Sequence, residues 1–155
     1  MPRTIRSALA MLALAALPAW SFAQSIGKIK VHSGEVTVER AGRPIPAALG
    51  APVHQADKIS TGKDGSVGLL FDDDSRLSLG PNSSIALDRF DFDFATHDGA
   101  FDVSMKKGTL SMISGKLTRR TPGALKVRTP AAILAVRGTE FSVQVDDPAA
   151  EERAQ

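Results

Sequence analysis

The sequence predicts an all-β protein: one compact domain of many short strands, β-solenoid-like or a sandwich, behind an N-terminal signal peptide. Three observations carry that expectation. Apolar residues alternate at period two across residues 27–145, clusters of turn-forming residues interrupt the alternation at short intervals, and stripes of helical period are missing. Such alternation buries one face of each strand and leaves the other wet.

The chain opens with "MPRTIRSALAMLALAALPAWSFAQ", in which Arg3 and Arg6 precede an apolar stretch from Ala8 to Leu17 and the small-residue site Ser21-Phe22-Ala23 follows. The apolar stretch is shorter than the roughly 20 residues of a membrane span. Residues 1–23 are therefore expected to be a signal peptide cleaved before Gln24, giving a periplasmic or secreted product with no membrane span after cleavage.

Strand-like pairs and triplets then follow one another: Ile29 and Val31; Val36 and Val38; Val67, Leu69 and Phe71; Leu77 and Leu79; Ile85 and Leu87; Phe90, Phe92 and Phe94. The pattern resumes at Phe101, Val103 and Met105, at Leu110 and Met112, at Leu125 and Val127, at Leu134 and Val136, and ends at Phe141, Val143 and Val145. Between them lie "SGE", "GKDGS", "DDDS", "GPNSS", "THDGA", "KKG" and "TPGA", all rich in residues that turn the chain. The stretch "GRPIPAALGAPVHQAD" has three prolines and no period, and reads as a long loop. Residues 24–145 form the expected domain, and 146–155, "DDPAAEERAQ", read as a polar disordered tail.

Cysteine is absent, which excludes disulfides, thiol catalysis and thiolate metal sites. The 19 basic and 17 acidic residues balance once Arg3 and Arg6 leave with the signal peptide, so the nucleic-acid class, which needs a basic footprint, is disfavoured. The charges are nonetheless segregated. Acidic residues dominate 57–102, whereas 103–145 is basic with Glu140 as its one acid.

Candidate chemistry is sparse. Ser104 and Lys107 match S-x-x-K spacing, but they sit on a strand pattern and no K-T-G accompanies them. His32, His54 and His97 have no paired ligand spacing. Asp88, Asp91, Asp93, Asp98 and Asp102 suggest calcium less than they suggest a wet strand face, because Ala95 stands where a third ligand belongs and no Gly stands at the sixth position. With no catalytic pair, no cofactor motif and no metal set, the expectation is a protein without catalytic, cofactor or metal residues. Tyrosine is absent and Trp20 lies in the signal peptide, which weakens a polysaccharide-binding platform without removing it.

The stretches "ISTGKDGSVGLLFDDDSRLSLGPNSSIALDRF", "KGTLSMISGKL" and "VRTPAAILAVRGTEFSVQV" together resemble the FecR domain family. The resemblance spans residues 27–145 and falls on Asp57, Thr61, Gly62, Gly65, Ser66, Asp73, Ser75, Pro81, Asn82 and Gly108. It continues on Arg128, Thr129, Pro130, Arg137, Gly138, Thr139, Glu140 and Phe141. Ala56 and Asp74 replace glycines of the pattern. Asp74 tolerates a positive φ, whereas Ala56 does not, so a local shift is expected around Ala56.

Within "RGTEF", Gly138 is expected to turn the chain, with Arg137 and Glu140 paired across the corner as architecture. Members of the family usually continue into a further hairpin beyond this point. That implies an exposed C-terminal strand over Phe141, Val143 and Val145, open to self-association or to an envelope protein.

The resemblance implies a free-standing, non-enzymatic FecR-domain protein of the bacterial envelope, a protein-interaction or signalling-related module without its own anti-sigma or transmembrane segment. Better-known members relay siderophore-receptor occupancy to a sigma factor through those two segments. The rival expectation is an envelope module binding peptidoglycan or another polysaccharide.

Overall fold

The computed structural model describes residues 23–147 together with Ala149 and Glu152. The expected signal peptide, save Ala23, and most of the expected tail lie outside the described residues.

Bent strands make the fold. Residues Ser25–Ser33 (β1) and Val36–Arg40 (β2) are two arms of one strand with a corner between them. Arg43–Pro46 (β3) and Pro52–His54 (β4) follow, and then Lys58–Thr61 (β5) and Ser66–Phe71 (β6) bend in the same way. So do Arg76–Leu79 (β7) and Ser84–Phe92 (β8), whereas Gly99–Ile113 (β9) turns the corner without interruption. After a single helical turn, Lys116–Arg120 (α1), come Leu125–Arg128 (β10), Ile133–Ala135 (β11) and Glu140–Val145 (β12).

Corresponding arms pair with corresponding arms. One half of the sheet runs β4-β1-β6-β7, then residues 108–113 of β9, then β12. The other half runs β3-β2-β5-β8, then residues 99–107 of β9, then β10 and β11. All pairs are antiparallel except β10 with β9. The result is one sheet curled over itself, because long strands that bend can serve both halves of a two-layered β structure.

The alternation read from the sequence supplies the core. Val67, Leu69, Phe71, Leu77, Leu79, Leu110 and Met112 point inward from one half, and Val38, Ile59, Ile85, Leu87, Val103, Met105 and Val127 from the other. Phe71 bridges the halves, with its ring centroid 4.6 Å from that of Phe101 and 5.7 Å from that of Phe90. Each such side chain contributes about 2 kcal/mol of burial. Covering both halves therefore stabilises the domain without disulfides.

The proline-rich stretch is not the structureless loop that its composition predicts, since β3 and β4 lie within it. Both are edge strands, β3 on β2 and β4 on β1, and an edge needs no N–H on its outer side. Around Ala56 the expected shift does not occur: the residue adopts φ +70° and its N–H donates to Leu87 O at 2.7 Å. That hydrogen bond offsets a strain of about 1 kcal/mol. Asp74 keeps its turn at φ +67°.

Candidate functional site

The corners of successive strands stack into a seam, and much of the family motif lies along it. Gly34, at φ +62°, begins the seam where β1 meets β2, and a Cβ there would lie 2.3 Å from Asp64 O. Gly62 donates its N–H to Glu35 O at 2.9 Å, and a Cβ on Gly65 would meet the same carbonyl at 2.1 Å. The next layer is tied down by Thr61, whose hydroxyl donates to Gly80 O at 2.7 Å and accepts the Ser83 N–H at 2.9 Å. Asn82, in the turn after Pro81, donates its N–H to Gly62 O at 2.9 Å. Finally, Ser83 Oγ accepts the Thr109 N–H at 2.9 Å, beside Gly108 at φ +98°. A Cβ on Gly108 would lie 2.3 Å from Ser83 Cα.

Two buried carboxylates brace the ends of these strands that lie away from the seam. Asp57 is fully buried and accepts Arg40 Nε at 2.8 Å, Arg40 Nη2 at 2.7 Å and the His54 N–H at 2.8 Å. The Asp57 hydrogen bond holds the Arg40 guanidinium above its ordinary pKa against the opposing effect of burial. Asp73, also fully buried, accepts the Ser75 N–H at 3.0 Å and the Ser75 hydroxyl at 2.7 Å. Ser75 Oγ in turn accepts the Gly115 N–H at 2.9 Å, which ties the β6–β7 turn to the start of α1. Ser66 is exposed at the start of β6.

The remaining motif residues lie at the other end of the sheet and are arranged differently. Arg128 is exposed at the end of β10, Thr129 closes a short turn with its N–H on Ala132 O at 2.8 Å, and Pro130 is exposed. Every residue of β11 is exposed, with Ile133 62% and Leu134 39% accessible. Gly138 does turn the chain at φ +126°, yet nothing lies within 4 Å of its absent Cβ. The expected Arg137–Glu140 pair does not form among the described residues, and both side chains are exposed, where a solvated charge gains little from pairing. Thr139 O accepts the Ser114 N–H at 2.7 Å, and Phe141 is half-buried.

β10 and β12 approach the kink of β9 from opposite directions. Arg128 faces Ser104 and Val145 faces Gly108, so the seam that closes the earlier layers is broken here. A groove of about 410 Å³ occupies the break, lined chiefly by Thr129, Pro130, Leu134, Val143 and Val145. β12 pairs with β9 along one edge, and its other edge carries no strand among the described residues.

Several residues with chemical potential have structural partners, while the buried Nδ1 of His54 has none among the described residues. Ser104 Oγ donates to Asp88, Lys107 pairs with Asp147 at 2.8 Å, and Asp91 pairs with Arg89 at 2.5 Å. Asp93 accepts the Ala95 and Thr96 N–H groups, with Thr96 foremost in holding its carboxyl below the usual range. Among the described residues no three His, Asp or Glu side chains converge as metal ligands. Arg40, Glu35 and Gly115 hold the motif residues in place and carry no signal of their own in the sequence.

The motif residues described here hold the bent strands through corner glycines and two buried aspartates. Residues 57–152 match the family model for FecR protein, and the chain belongs to that family, a regulatory and signalling one. No curated protein and no solved structure matches the chain.

Proposed function

We propose that this chain is a non-enzymatic, exported module of the bacterial envelope that works by protein contact, accepting an extended strand on the outer edge of β12. The open edge of β12 beside the groove is the observation that carries the reading. An unpaired strand edge offers a row of N–H and C=O groups to another chain, and Leu134, Val143 and Val145 offer apolar contacts beside them. Membership of a regulatory family supports the same reading. Among the described residues no helix is long and apolar enough to cross a membrane.

The basic run that holds Lys126 and Arg128 would draw in the acidic 72–102 region of a second copy, so self-association should weaken as salt rises. Sedimentation at several concentrations, in low and high salt, is the test. A monomer under every condition, with slow amide exchange over residues 141–145 in the isolated protein, would refute an available edge. Binding to peptidoglycan without any protein partner would favour the polysaccharide reading. Export has its own check: protein from the envelope fraction should begin at Gln24 by intact mass, and retention of Met1 there would contradict it.

A further inference from the structure

Among the described residues four strands pair along one side and leave the other free: β3, β4, β11 and β12. They are not equally open. β3 has four residues, two of them prolines, β4 has three with one proline, and β11 has three. β12 has six residues, no proline and no break in its register with β9. Prolines and short length keep other chains off an edge, and β12 has neither protection. Its one charge is Glu140, at its start.

The ladder decides which groups that edge offers. Ser114 N–H donates to Thr139 O at 2.7 Å, in the register that continues with Phe141 opposite Met112 and Val143 opposite Leu110. Antiparallel bonds alternate, so Phe141, Val143 and Val145 direct their N–H and C=O groups to β9, and Glu140, Ser142 and Gln144 turn theirs outward. The far side of β9 agrees. There Thr109 O accepts the Gly80 N–H at 3.0 Å, which assigns Thr109, Ser111 and Ile113 to β7 and leaves Leu110 and Met112 for β12. The side chains of Glu140, Ser142 and Gln144 are exposed, while those of Phe141, Val143 and Val145 are half-buried against the core.

We propose, on the reading that this edge is available, that its occupant is a second copy of this chain, its own β12 laid antiparallel about a twofold axis through Ser142. In that arrangement Ser142 faces Ser142 of the second copy, and Glu140 faces Gln144 at either end. All three outward residues of each strand then find all three of the other, and each facing pair exchanges its N–H and C=O groups. A carboxylate meets an amide donor, and Phe141 packs beside Val143 of the second copy. Neighbouring registers are worse. With Val143 on the axis, Glu140 meets Asp146 of the second copy, a like-charge pair; with Phe141 on it, Gln144 meets the turn at Gly138, where φ is +126°. A strand that fits its own reversed image is the pattern of an isologous interface.

The chain has no cysteine, so single cysteines report the register without background. Ser142→Cys places the two thiols on the axis with Cα atoms about 5.5 Å apart, within disulfide reach. Glu140→Cys places them about 14 Å apart along the strands, beyond it. Mild oxidation of the purified protein is expected to give a covalent dimer with Ser142→Cys, little with Glu140→Cys, and a heterodimer when Glu140→Cys is mixed with Gln144→Cys. Ser142→Lys, on an exposed side chain, sets two ammonium groups face to face. It should weaken self-association in sedimentation at least about fivefold while the melting temperature of the dilute protein stays close to the parent's.

No cross-linking at 142, or equal cross-linking at 140 and 142, would overturn the second copy in this register. Amide exchange at Glu140, Ser142 and Gln144 of the monomer then separates the two failures. Fast exchange leaves the edge available to a strand of another protein, whereas slow exchange shows an edge closed by its own chain and removes both readings.

Discussion

Gly108 and Gly138 both belong to the family motif and both have positive φ, yet they stand in opposite surroundings. Gly108 sits in the seam with Ser83 backbone in the space a side chain would need, while Gly138 turns in open solvent beside β12. The contrast holds for their neighbours. Asp57, Thr61, Asp73 and Ser75 are buried with hydrogen-bond partners, whereas Arg128, Pro130, Arg137 and Glu140 are exposed. One motif therefore serves two ends: its first part is built into the packed sheet, and its last part lies exposed beside β12. An intact motif in a sequence is accordingly evidence for the fold before it is evidence for a binding surface.

The sharpest way to break this comparison is to place the same side chain at both glycines. Gly108→Val should cost more than about 4 kcal/mol and in practice prevent folding, since φ strain adds to a clash with backbone that has nowhere to move. Gly138→Val should cost only about 1 kcal/mol, from φ alone. Chemical denaturation of the two variants decides the matter, and equal losses would mean that the seam is not the more constrained corner.

A smaller effect is expected at the buried carboxylate of Asp57. Asp57→Ala leaves the Arg40 guanidinium and the His54 N–H without their acceptor and should cost about 3 kcal/mol, with Arg40 partly rescued by water because its side chain is 35% exposed. Glu140→Ala, the comparable deletion of charge at the open end, should move the melting temperature by less than a degree or two, in keeping with about 0.5 kcal/mol for an exposed site. Thermal unfolding of both variants would show whether the division between the two parts of the motif is one of energy as well as place.

Acid should act most gently. Asp74 and Asp93 lie below the ordinary carboxylate range, Asp74 chiefly through its Lys116 hydrogen bond and Asp93 chiefly through the Thr96 N–H. A lowered folded-state pKa contributes stability that is present above about pH 4 and lost as pH falls through the folded value. Asp72 is raised, first by burial and then by Asp73, so its charge opposes folding once pH rises above the ordinary value. The melting temperature should thus fall modestly below about pH 4. Asp72→Asn should raise it at pH 7. A melting temperature that Asp72→Asn lowers at pH 7 would show that the charge is doing a structural job.

Period-two alternation is a local property, which is why most of the inward-facing residues from Ile29 to Val127 were legible before any coordinates. The strands β3 and β4 were hidden because prolines spoil the local signal, and only the sheet neighbours that they lack explain why prolines are tolerated there. The corner at Gly138 was legible, but the crowded corner at Gly108 was not. "VRGTE" interrupts an apolar run and looks like a corner, whereas the crowding at Gly108 comes from Ser83, far away in sequence. Arg40, whose partner Asp57 belongs to the motif, lies in an unremarkable strand end, and no spacing rule couples the two.

The single strand that runs through both halves of the sheet also sets how the molecule bears load. β9 has β7 and β8 along one side and β10 and β12 along the other, so tension along its axis must shear several ladders at once. Among the described residues β9 is the one strand that β12 pairs with. A pull arriving through the residues beyond Val145 peels it from the Gly108 end toward Ile113, one hydrogen bond after another, and then meets β9 as a stop. The domain is built as a strip that tears easily at one margin and resists beyond it.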